Sequence, residues 1–230
     1  MIHASRFMPI LEQTDLLEYY LQWLLRESLA ERAHWSDLAP DLPVAINLPP
    51  RCLLNANLPT HIDNALRAAG LRADQLTVEL PADAVLRPLS TVDTVLNELH
   101  TLGLRIAIDN FGRGTTTLDR LLHLPATDIK IAPEVTGRIL TSRDDHTIIR
   151  IAREIADGAG LQVTATGVRT EAHLHAAHAA GAHAAQGDAL TPALLPERAH
   201  LALRHLADTS ATPGSARIIP LHPSRDPQPD

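Results

Sequence analysis

Leu104-Arg105-Ile106-Ala107-Ile108-Asp109-Asn110-Phe111-Gly112-Arg113-Gly114-Thr115-Thr116-Thr117-Leu118 is the stretch that decides the fold. A short apolar run breaks off at a polar pair, passes two glycines and meets three threonines whose hydroxyls suit the exposed N–H groups at the start of a helix. Such a strand-to-helix turn suits an anion or a metal, although a plain tight loop would read the same way. The unit recurs along the chain. Strands are expected at 44–48, 76–80, 104–109, 127–131, 161–166 and 182–186, and helices near 59–69, 89–102, 116–122, 144–158 and 170–180 lie between them. An amphipathic run over 10–33, with Asp15 as its cap, precedes the first strand as one long helix.

Short apolar strands alternating with helices imply right-handed βαβ units and a parallel sheet, either doubly wound or closed as a barrel. The strand ends favour the barrel. Asn47, Glu79, Asp109, Lys130, Thr166 and Gln186 are residues a core would not choose. In a barrel such ends converge at the C-terminal mouth, whereas along an open sheet they would be dispersed.

The 230 residues allow one large domain, and 20 basic against 27 acidic side chains give a net charge of −7. That balance argues against sequence-independent DNA or RNA binding. No apolar run reaches the roughly 18 residues of a bilayer span, and the N-terminus lacks the pattern of a signal peptide. The single cysteine, Cys52, cannot form an intrachain disulfide. A cytoplasmic protein with no membrane segment is expected. From 208 to 230 the period stops and five prolines appear, so the domain is placed at 1–207 and a disordered Pro-rich tail at 208–230.

Lys130 is the only lysine, against 19 arginines. A compact ammonium at a strand end suits a phosphate or a metal-bound water, and equally a neighbouring acid. His173, His175, His178 and His183 lack the spacing of a helical metal pair and read as a solvated face and strand start. Trp23, Trp35, Tyr19 and Tyr20 are expected to anchor the first helix on the barrel.

Together these segments resemble the EAL domain family, barrel phosphodiesterases that linearise cyclic di-GMP. Phe7-Met8-Pro9-Ile10-Leu11-Glu12 is similar to the family's F-I-P-x-A-E, and Ala45-Ile46-Asn47-Leu48 to V-N-L-S. Val78-Glu79-Leu80-Pro81 is similar to the E-x-T segment, Asp109 to Gly114 to D-D-F-G-T-G, and Lys130-Ile131-Ala132 to K-I-D. Thr166-Gly167-Val168-Arg169-Thr170 stands where E-G-V-E-T would, and Gln186-Gly187-Asp188-Ala189-Leu190 follows Q-G-Y-L-F. The matches run in order from about residue 7 to 197.

The resemblance implies an incomplete TIM-type (β/α) barrel, because family members begin with two further strands, the second carrying E-A-L. It also implies a metal site at Asn47, Glu79 and Asp109, a residual catalytic role for Lys130 and a nucleotide contact from Gln186, while Arg113 is a candidate to touch phosphate through the positive charge it adds near the mouth. Several family positions have departed. Asn110 replaces a ligand aspartate, Ala132 the aspartate of K-I-D, and Thr166 and Arg169 the two glutamates of E-G-V-E, while Ala82 stands where a glutamate steadies the loop after D-D-F-G. Magnesium or manganese needs several hard oxygen ligands, and only two carboxylates remain. The expectation is a degenerate module, inactive or weak, with no cofactor, or with Mg or Mn if activity persists. It would act by sensing cyclic di-GMP or through a protein partner or homodimer. Its rivals are an active phosphodiesterase completed by a partner chain or upstream sequence, and an interaction module that no longer binds nucleotide.

Overall fold

A computed structural model describes residues 4–85, 89–113 and 118–209. The chain opens with α1 (Ala4–Leu11) and α2 (Leu16–His34), then alternates β1 (Val44–Asn47), α3 (Leu58–Ala69), β2 (Leu76–Pro81), α4 (Ala82–Val85) and α5 (Ser90–Thr101). It continues with β3 (Arg105–Phe111), α6 (Leu118–His123), β4 (Asp128–Ile131), α7 (Pro133–Arg138), α8 (Arg143–Ala159), β5 (Gln162–Thr166), α9 (Glu171–Ala179), β6 (Ala184–Gln186) and α10 (Pro196–Thr209). All six expected strands are present, within two residues of their sequence limits.

The strands are parallel and hydrogen-bonded in sequence order, β1 to β6. A doubly wound sheet needs a point where the order reverses, and here none occurs. The sheet curls one way instead, an incomplete TIM-type barrel with helices outside. Val78, Leu80, Ile106, Ile108, Ile129, Ile131 and Val163 turn outward into one core shared with the inner faces of the helices, among them Ile62 and Leu66 of α3, Leu96 and Leu99 of α5, and Ile149 of α8. Their alternate neighbours, Glu79, Ala107, Lys130 and Thr164, face the inner side.

Several local expectations change. The amphipathic run over 10–33 is two helices, because Thr14 turns back and donates both its N–H and its hydroxyl to the Leu11 carbonyl, each at 3.0 Å. Asp15 precedes α2 in a helical conformation and its side chain makes no capping bond. Trp35 is buried, but against Ala199 and Leu203 of α10. Tyr19 and Trp23 are not anchors, being 71% and 50% exposed. Helix α10 runs two residues past the expected boundary at 207, and the tail beyond Thr209 lies outside the described residues, as do the threonines at 115–117.

Candidate functional site

The register brings the polar strand residues to one side and one end. Asn47 pairs with Glu79, Glu79 with Ala107, and Ala107 with Asp128. One step toward the C-terminal ends, Lys130 pairs with Thr164 and Thr164 with Ala184, and above these Thr166 pairs with Gln186. Asn47, Thr166 and Gln186 end their strands at the mouth, where the βα loops begin, while Lys130 lies one residue and Glu79 two residues inside.

At the centre, Lys130 Nζ donates to Glu79 Oε1 at 2.5 Å, with both side chains buried. The two residues are on β4 and β2, so the lysine crosses β3. Two strand spacings are about 9.5 Å. The crossing requires a long side chain on β4, and Glu79 answers from the row of Ala107 and Asp128, below the row of Lys130. Of the two roles the sequence left open for Lys130, the structure builds the pairing with an acid.

Around this pair, the described residues offer few further charges. Asp109 and Asn110 occupy a register irregularity in β3, with Asn110 at φ 58°, a left-handed conformation that Asn tolerates better than most residues. Asn110 Nδ2 donates to Asp109 Oδ2 at 2.9 Å, so the amide covers an oxygen of the neighbouring carboxylate. Thr166 Oγ1 donates to the Ile131 carbonyl at 2.7 Å. Ala132 is fully buried and its N–H donates to the Phe111 carbonyl at 2.9 Å. Among the described residues, no three His, Cys, Asp or Glu side chains come together to hold a metal ion. Glu79 Oε1 thus faces an ammonium and Asp109 Oδ2 an amide.

The other expected residues are dispersed. Arg113 is exposed and its guanidinium lies 3.5 Å from Glu134. Arg169 is exposed, and Ala82 is buried in α4. Gln186 stands at the end of β6 with Oε1 buried and no hydrogen-bond partner among the described residues. The loops beside it are tightly stacked. A Cβ on Gly187 would meet the Val168 carbonyl oxygen at 2.3 Å, and one on Gly167, at φ 71°, would meet Pro133 Cβ at 2.6 Å, so both positions require glycine.

Sequence reading missed two features. One is the reach of Lys130 across β3 to Glu79, which depends on strand order. The other is His183, whose Nδ1 accepts the N–H of Val163 at 2.9 Å. Its place at a strand start was visible, but its partner was not.

Among known proteins, the EAL domain model matches residues 1–193. The bifunctional diguanylate cyclase/cyclic di-GMP phosphodiesterase MucR of Pseudomonas aeruginosa is 28% identical over 188 residues, 81% of this chain and 27% of that protein. The chain spans a fifth to a third of the length of the first curated relatives it matches, 25%, 21% and 34%. A solved structure of the PaMucR phosphodiesterase in complex with c-di-GMP superposes with a TM-score of 0.81 at 28% identity, over 86% of this chain and 81% of that one. The EAL domain of Mycobacterium smegmatis DcpA gives 0.78 at 27% identity, over 83% and 86%. With the ordered motifs, the parallel sheet and these matches in agreement, the chain belongs to the EAL domain family.

Proposed function

We propose that this chain is a degenerate EAL module of cyclic di-GMP signalling that senses the nucleotide and turns it over weakly or not at all. The observation that carries this reading is the Lys130–Glu79 pair at 2.5 Å, closed in a mouth whose neighbours are Asn110, Ala132 and Thr166. An ammonium sits against the carboxylate that a divalent ion would need, and the adjacent positions supply neutral groups. The same arrangement is less repulsive to a dianionic dinucleotide than a ring of carboxylates would be. Gln186 supports recognition: a buried acceptor without a donor is costly, and a guanine edge offers N–H donors.

The test is calorimetry with cyclic di-GMP in chelator and again in Mn²⁺ or Mg²⁺, alongside a turnover assay for the linear product. Binding that is indifferent to metal, without turnover, supports the reading. Turnover comparable with an intact EAL phosphodiesterase defeats it and favours an enzyme completed by a partner chain or upstream sequence. A second reading, a module that keeps only protein contacts, is favoured by the exposed side chains of Leu16, Tyr19 and Trp23 along α2. No heat with nucleotide under either condition selects it.

A further inference from the structure

β6 is three residues long and pairs only with β5 among the described strands. Its two ends are held differently. At the mouth, the Val168 N–H donates to the Gln186 carbonyl at 3.0 Å. At the other end, the His183 N–H donates to the Val163 carbonyl at 2.8 Å, while the Val163 N–H returns a bond to His183 Nδ1 at 2.9 Å. A backbone and a side chain of one residue thus close a reciprocal pair on β5. Val163 is fully buried, so its N–H has no water to turn to if the imidazole is lost.

An Nδ1 that accepts must be unprotonated, which places the ring proton on Nε2. The charges that act on the ring both come from α8. Asp157 Oδ1 lies 3.9 Å from Nε2. Arg153 binds the same carboxylate at 2.7 Å and the Gly181 carbonyl at 3.1 Å, and so brings a cation beside the histidine. Across the ring, β5 presents the N–H of Val163.

We infer that His183, as the neutral imidazole, is a positioning residue that holds β6 and Gln186 at the mouth of the barrel, and that a proton taken up from solvent at Nδ1 releases the strand. The protonated ring would turn an N–H toward the N–H of Val163, and the bond between β5 and β6 is replaced by two facing donors. The effect on ligand binding rests on Gln186 being a nucleotide contact, as proposed above; the effect on the strand does not. Burial first, then Arg153, hold the His183 pKa below the ordinary histidine value, with Asp157 opposing them. The unfolded chain therefore binds this proton more readily than the folded one. Strand retention is complete above the ordinary value and is lost as pH falls below it.

The experiment is hydrogen–deuterium exchange on the intact chain without nucleotide at about pH 7.5 and about pH 5.5, corrected for intrinsic exchange, with cyclic di-GMP calorimetry at the same values. Residues 182–190 should lose protection about tenfold on acidification, the change expected from one net hydrogen bond, while β3 and β4 keep theirs. His183→Asn and His183→Asp each place an oxygen acceptor at the strand start and should make protection of this segment insensitive to pH over that range. Nucleotide affinity should weaken in acid by a similar factor in the wild type and stay level in the variants. Protection of 182–190 that is independent of pH in the wild type, or folded variants as acid-labile as the wild type, overturns the inference. Absence of nucleotide binding at both values defeats the proposed function and leaves exchange to decide the role of His183.

Discussion

Lys130→Met removes the ammonium that faces Glu79 and leaves a carboxylate, 7% exposed, without its cation. Breaking one side of a buried ion pair costs about 3–5 kcal/mol, most of it the penalty of a charge left without a partner. Methionine matches the lysine stem in volume, so little of the loss is a packing effect. For a chain of this size the melting temperature should fall by roughly 10 °C. The double change Lys130→Met with Glu79→Leu removes both charges, and the net cost should return to within about 1–2 kcal/mol of the wild type. Urea unfolding followed by far-ultraviolet circular dichroism measures both variants on one scale. A single variant within about 1 kcal/mol of the wild type, or a double variant no more stable than the single, would refute the argument that the pair is closed and dry.

Gly187→Ala drives a methyl group into the Val168 backbone at 2.3–2.4 Å, and thermal denaturation should show a loss of more than about 2 kcal/mol. Trp35→Ala should cost about 3–5 kcal/mol because the indole fills the contact with α10, whereas Trp23→Ala should cost about 0.5–1 kcal/mol; urea midpoints separate the two. Arg138 donates to both Asp145 oxygens at 2.9 Å and holds that carboxyl below its usual range, with further help from Ser142. The stabilisation is present above the ordinary carboxylate value and is lost as pH falls through the lowered one, so Asp145→Asn should flatten the acid limb of stability against pH. Asn110→Asp should leave turnover of cyclic di-GMP unchanged, since Ala132 and Thr166 remain; a product assay showing recovery would locate the deficit in that one residue.

The sequence alone determined the six strands, the fold class and the family, because these are written in local signals. Apolar runs such as Ile106-Ala107-Ile108 end abruptly in polar residues, and Gly112, Gly167 and Gly187 mark the turns after three of them. It also named Asn47, Glu79, Asp109, Lys130 and Gln186 as strand ends that share a mouth. It did not break the first helix, because an amphipathic period continues across Gln13 and Thr14 and only the return of Thr14 to Leu11 ends α1. Trp23 and Trp35 looked alike because both are large aromatics on or beside the first helix, and the position of α10 is what buries the second.

Tertiary structure decided which polar groups face one another. Lys130 and Glu79 are 51 residues apart, and they meet because the strand order sets β4 and β2 on either side of β3. His183 and Val163 are 20 residues apart and meet through the register of β5 with β6. Periodicity specifies the face a side chain takes along its own strand, while its partner depends on strand order and stagger, and those are set only when the whole sheet has assembled.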